Sequence, residues 1–207
     1  MKILIAVPCF DMVHSAFVRS LMELDRPVGT AFTMIQNTLI YTARNLIAQN
    51  AVKMGFDAVL WIDSDMTLPR DALTMLAADL AEGRDYVTGL YFTRKPPILP
   101  CVHKELHWNV KDDGWVDTGA KCYVDYPKNE IFEIACSGFG CCMTSTALLK
   151  RMLEKYGGPF FPLMGMGEDT AFCYRATQDG EKLWCDSRVK CGHVGQYEFD
   201  ENAYLEV

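Results

Sequence analysis

The residue types best suited to chemistry in this chain stand at Asp63 and Asp65, inside "AVLWIDSDMTLP" (58–69), where an apolar run stops at two carboxylates separated by one serine. Hard divalent cations such as Mg²⁺ and Mn²⁺ take oxygen ligands and keep coordination places for substrate phosphates, so two acids at a strand end suit such an ion. The triplet also suits a plain turn, because Asp and Ser both start turns. A second acidic pair, Glu168 and Asp169 in "GEDTAFCYRA", suits either a helix start or a general base beside a reacting hydroxyl. His193 in "CGHVG" is a residue for a metal or for a turn, and Arg44 in "ARN" is one for an anion or for a solvated helix face.

The segments around these residues alternate in type. "KILIAVP" is a continuous apolar run, as expected of a strand covered on both faces. "HSAFVRSLMEL" has Phe17, Leu21 and Leu24 at helical spacing, and "TAFTMIQ" has strand character. In "NTLIYTARNLIAQNAVKMG" Leu39, Ala43, Leu46, Ile47 and Met54 share a helix face, with Gly55 as the stop. "AVLWID" is a third strand. "LPRDALTMLAADLAEG" is a helix opened by Pro69 and closed by Gly83, and "DYVTGLYF" is a fourth strand. This alternation predicts an α/β fold with a mostly parallel central sheet flanked by helices, Rossmann-like in kind. Ligands of such sheets bind beyond the carboxyl ends of the strands, where Asp63 and Asp65 fall.

The second half is less regular. Prolines keep "KPPILP" extended, and the polar stretch 103–130 with its "DDG" turn signal suits a hairpin or loop. "EIFEIACSGFGCCMTS" returns to strand character around a glycine-broken loop. Two helices, "TALLKRMLEKYGG" and "GEDTAFCYRATQDG", and a closing stretch "KLWCDSRVKCGHVG" follow. No linker or repeat interrupts the chain, so residues 1–207 are expected to form one catalytic domain.

Half of the 207 residues are apolar and 23% are charged, as in a soluble globular protein. No apolar run approaches the roughly 20 residues of a membrane span, and "MKILIAVPCF" fits a first strand better than a signal peptide. The net charge of −7 without a basic patch argues against a nucleic-acid partner. Nine cysteines, an odd number, with no paired C-x2-C knuckle suggest reduced thiols and a cytoplasmic location rather than structural zinc.

"AVP" at the first strand, "ARN" in the second helix, "DSD", "SGFGCCMTSTALLKRM", "GEDTAFCYRA" and "CDSRVKCGHVG" follow one another in an order that resembles glycosyltransferases of the A-type fold, in particular glycosyltransferase family 2 and related enzymes. The resemblance covers nearly the whole chain. It implies metal-dependent transfer of a sugar, with inversion, from a nucleotide-diphosphate sugar to an acceptor hydroxyl on a glycan, protein or small molecule. Carried over residue by residue, it puts Pro8 beside the nucleotide base and Arg44 against the nucleotide sugar or its diphosphate. Asp63 stands by the ribose or the metal. Asp65 and His193 hold Mn²⁺ or Mg²⁺, Gly138 and Gly140 border the donor sugar, and Glu168 and Asp169 face the acceptor, with Asp169 as base. Two alternatives stay open. "WIDSDMT" is also similar to the first motif of haloacid-dehalogenase-type phosphohydrolases, with Asp63 as nucleophile and Asp65 as general acid, although here it falls on the third strand rather than the first. A non-catalytic nucleotide-sugar-binding module is the other.

Overall fold

The computed structural model describes residues 1–195 and 198–205. In chain order its first half runs β1 (Ile3–Pro8), α1 (Ser15–Glu23), β2 (Ala31–Ile35), α2 (Ile40–Lys53), β3 (Ala58–Ile62), β4 (Met66–Thr67), α3 (Ala72–Ala81) and β5 (Tyr86–Leu90). The second half begins with a hairpin, β6 (Val102–Val110) and β7 (Val116–Cys122), followed by β8 (Ile131–Ile134), β9 (Cys136–Ser137) and β10 (Cys141–Ser145). Then come α4 (Thr146–Tyr156), α5 (Glu168–Gln178), β11 (Leu183–Lys190), β12 (Gly192–Val194), β13 (Glu198–Phe199) and α6 (Glu201–Leu205). Among the described residues no helix is long and apolar enough to cross a membrane.

The central sheet has seven strands in the order β2-β1-β3-β10-β5-β11-β8. β2, β1, β3, β5 and β11 run one way, while β10 and β8 run against them. The sheet is therefore mostly parallel, as the alternation of elements predicts, but mixed. One departure is β10, which arrives from the far half of the chain and inserts antiparallel between β3 and β5. An antiparallel insertion puts the start of β10 at the end of β3, with Cys141 opposite Ile62. The loop before β10, Gly138–Gly140, is thereby carried to the sheet edge where Asp63 and Asp65 stand.

Both faces of the sheet are covered, which is why β1 and β3 within it are apolar and buried at every position. Alternate side chains divide the core. Leu4, Ala6, Val59 and Trp61 pack with Ile47 and Ala48 of α2, Leu149 of α4 and Phe172 of α5. Ile3, Ile5, Leu60 and Ile62 pack on the other side with Phe17 of α1 and Leu73, Leu76 and Leu80 of α3. Each such large side chain contributes about 1.5–3 kcal/mol on burial. Trp61 is wholly buried and its indole donates to Thr144 Oγ1 at 2.9 Å, so it is core rather than a sugar platform. Pro69 precedes α3 rather than opening it: its carbonyl accepts from Ala72 N at 3.1 Å, and Asp71 holds the N-cap position.

Two small sheets finish the site. β6 pairs with β7 and β9, so the expected hairpin forms and its root lies next to β9. β12 pairs with β4 on one side and β13 on the other. The β4–β12 pairing sets His193 opposite Met66, and Val194 N donates to Asp65 O at 2.7 Å. Backbone pairing alone thus fixes a late histidine beside the acidic turn.

Candidate active site

The chain leaves β3 at Asp63 and turns at once. Asp63 N donates to Gly140 O at 3.0 Å, and Met66 N donates back to Asp63 O at 3.2 Å. The turn throws the two carboxylates in different directions. Asp63 Oδ1 accepts from Arg44 Nη2 at 2.8 Å, while Asp65 Oδ2 lies 3.6 Å from His193 Nε2 and carries an ion pair with Arg94.

Arg44 reaches this point from α2. Its side chain is only 2% exposed, and its second outer nitrogen, Nη1, donates to Glu168 Oε1 at 2.7 Å. The guanidinium also lies over the Phe139 ring at 5.1 Å. Arg44 is thus a buried bridge between two acids rather than part of a solvated helix face. Burial pushes the carboxyls of Asp63 and Glu168 above their ordinary range, and Arg44 opposes the shift in both. Without the guanidinium both would hold protons to higher pH.

Two of the expected metal-binding residues come together. His193 Nδ1 is 2.8 Å from Phe92 O, a carbonyl that can only accept, so Nδ1 carries a proton and Nε2 is the nitrogen that faces Asp65, able to bind a cation once its own proton is lost. Burial works against protonation of His193, but Asp65 and the Phe92 carbonyl outweigh it and hold the imidazole above its usual value. Burial likewise pushes Asp65 upward, yet His193 and Arg94 keep its carboxyl below the usual range. Asp63 gives Oδ1 to Arg44 and lines the same cleft as His193. Among the described residues no three His, Cys, Asp or Glu side chains group as a metal site. One carboxylate and one imidazole nitrogen 3.6 Å apart fit a hard cation that completes its shell with phosphate and water.

The acidic pair at the start of α5 is split in the same way. Glu168 turns to Arg44, whereas Asp169 lines an open cleft of about 320 Å³ together with Asp63, Tyr91, Gly138 and His193. Asp169 Oδ1 is steadied by Thr170, whose N donates at 2.6 Å and whose Oγ1 donates at 3.2 Å.

Gly138 lines the cleft and Gly140 follows it in the same loop, but the neighbour that requires glycine at both is Tyr91. A Cβ on Gly138 would lie 2.3 Å from Tyr91 Oη, and one on Gly140 would lie 2.9 Å from the Tyr91 ring. Tyr91 Oη in turn accepts from Gly140 N at 3.1 Å. Pro8 is not in this cleft. It lines a separate apolar hollow of about 180 Å³ with Cys9, Phe10, Leu39 and Ala43, between the end of β1 and the start of α2.

Sequence reasoning missed part of the wall. His103, Cys101 and Cys122 line the cleft from the root of the β6–β7 hairpin. Burial lowers His103 below the usual histidine value and pushes the Cys101 thiol up to about 12, so neither carries charge near neutrality. The only available signal was a histidine at the start of a strand, and nothing local says that the hairpin folds back over the acids. All nine cysteines are free thiols.

No protein-family model matches the chain, and no curated protein sequence does. Solved structures are similar to it. A197 from STIV superposes with a TM-score of 0.68 at 17% identity, over 94% of this chain and 86% of that one. GalNAc-T7, crystallised with UDP, GalNAc and Mn²⁺, superposes with a TM-score of 0.62 at 13% identity, over 93% of this chain and 44% of that one. At these identities the likeness establishes the fold alone, a mixed α/β architecture of the glycosyltransferase A type.

Proposed function

We propose that residues 1–207 form a single catalytic domain that transfers a sugar from a nucleotide-diphosphate sugar to an acceptor hydroxyl. The observation that carries this reading is the Asp65–His193 pair at the ligand edge of the sheet, 3.6 Å apart with Nε2 of the imidazole turned towards the carboxylate. Charge supports it. Among the described residues Asp63, Asp65, Glu168 and Asp169 have Arg44, Arg94 and His193 as their basic neighbours, so acids outnumber basic side chains at this edge. A divalent cation offsets that imbalance.

Mn²⁺ or Mg²⁺ held by Asp65 and His193 would neutralise the charge that develops on a diphosphate leaving group. The chain's own residues do the rest. Arg44 fixes Asp63 and Glu168, so the metal edge and the start of α5 keep their spacing. Tyr91, Gly138 and Gly140 form the wall against which the donor sugar rests. The hollow at Pro8, apolar and close to the β1 end, takes the nucleotide base. Asp169 accepts the proton of the acceptor hydroxyl as its oxygen bonds to the anomeric carbon and the bond from that carbon to the diphosphate oxygen breaks. Attack opposite the leaving group inverts the anomeric centre.

UDP is the first nucleotide to try, because the GalNAc-T7 structure contains it. The test is to incubate the protein with UDP- and GDP-sugars, Mn²⁺ and simple sugar acceptors, and to measure released nucleoside diphosphate alongside free phosphate. Release of nucleoside diphosphate that requires Mn²⁺ and Asp65 supports the proposal. Release of phosphate alone overturns it in favour of a phosphohydrolase.

A further inference from the structure

The loop after β5 closes on itself at its neck. Thr93 N donates to Leu99 O at 2.8 Å, Leu99 N donates to Thr93 Oγ1 at 3.0 Å, and that hydroxyl donates to Pro97 O at 3.1 Å. Thr93, Leu99 and Pro100 line the cleft, so the neck is fixed at its rim. The tip is different. Arg94 is about half exposed, and the only side chain it is bonded to among the described residues is Asp65. The contact falls on Asp65 Oδ2, the same oxygen that faces His193 Nε2.

A guanidinium and a divalent cation on one carboxylate oxygen repel each other, being two positive groups a few ångströms apart. A cation arriving at Asp65 and His193 therefore weakens the Arg94 contact and favours its release. The released guanidinium remains on a loop anchored at the cleft rim. A diphosphate held by the cation brings negative oxygens to that place, and planar guanidinium groups bind phosphate in bidentate fashion.

We propose that Arg94 is an exchangeable clamp, bonded to Asp65 in this structure and transferred to the diphosphate once a cation takes its place. This inference rests on the reading of the cleft as a metal and diphosphate site. It makes Arg94 a competitor of the bare cation and a helper of the cation–diphosphate pair, so removing it acts in opposite directions on the two.

The experiment titrates two probes into the protein, Mn²⁺ alone, followed by the paramagnetic signal of the free ion, and inorganic pyrophosphate in the presence of Mn²⁺, followed by calorimetry. Arg94→Ala is expected to bind Mn²⁺ alone about fivefold more tightly, because a positive neighbour is gone. It is expected to bind pyrophosphate with Mn²⁺ about tenfold more weakly, equivalent to about 1.4 kcal/mol. Lys95→Ala removes the adjacent charge, which has no bond to Asp65, and leaves the Mn²⁺ affinity as in the wild type. Unchanged or weaker binding of Mn²⁺ alone by Arg94→Ala overturns the clamp, and so does an unchanged pyrophosphate affinity. Asp65→Asn separates the two levels. If it loses Mn²⁺ while Arg94→Ala behaves as the wild type, the metal reading stands and the clamp falls. If the wild type and Asp65→Asn respond to Mn²⁺ alike, both fall.

Discussion

Arg44 and Asp169 illustrate how differently two charged residues of one site act. Arg44 is buried between Asp63 and Glu168, and its removal leaves two carboxylates in a poorly solvated place with no counter-charge. Breaking a buried ion pair by deleting one partner costs about 3–5 kcal/mol. Arg44→Met should therefore lower the unfolding free energy in urea by that order. Burial already raises both carboxyls, and without Arg44 nothing opposes it. Their folded pKa values would then lie further above the unfolded ones, so stability is lost as pH rises through the folded values. The deficit of Arg44→Met is expected to be largest near neutral pH and smaller near pH 4; an equal deficit at both would contradict the bridge. Asp169 has a different task, because it opens on the cleft rather than on Arg44. Asp169→Asn should leave nucleotide affinity within a few fold and slow transfer by about 10²–10⁴-fold, the usual cost of removing a general base. Glu168→Gln, measured beside it, should act chiefly on stability. Near wild-type turnover in Asp169→Asn would transfer the role elsewhere.

At the scale of elements, the site exists because β10 runs against its neighbours and because β12 pairs with β4. The first places Gly138–Gly140 against Tyr91, and the second places His193 against Asp65. Gly138→Ala would force a methyl to 2.3 Å from Tyr91 Oη, an overpacking of the kind that costs about 1–3 kcal/mol. Tyr91→Phe removes that oxygen but strips Gly140 N of its acceptor, a loss of about 1–3 kcal/mol on its own. The double variant should cost clearly less than the two single ones added together, as read by thermal or urea unfolding. Additive losses would mean that Tyr91 is not what excludes a side chain at 138. The seven segments from β1 to β5 that alternate between strand and helix were legible in the sequence, since apolar runs and helical spacing are local signals. The acids, the arginine, the glycines and the histidine were legible as residue types. Their arrangement was not, because antiparallel insertion of β10 and the short β4–β12 pairing are long-range contacts with no periodic signature. For the same reason the hairpin was visible, while its placement of His103 and Cys101 over the acids was not.

At the scale of the whole molecule, three features agree. The fold is like that of glycosyltransferases of the A type, the chain covers 44% of GalNAc-T7, and its net charge of −7 includes a knot of acids at the ligand edge of the sheet. An acidic cleft draws in cations and repels a bare diphosphate. The central claim is that a cation at Asp65 and His193 holds the diphosphate, and thermal unfolding with nucleoside diphosphates, in Mn²⁺ and in chelator, tests it most directly. A ligand at about 100 times its dissociation constant stabilises the folded state by about 2.7 kcal/mol. The account predicts that UDP or a related nucleoside diphosphate raises the melting temperature in Mn²⁺, that chelator abolishes most of the rise, and that Asp65→Ala and His193→Ala each lose it. A rise of the same size in chelator, or one that both variants retain, would contradict it.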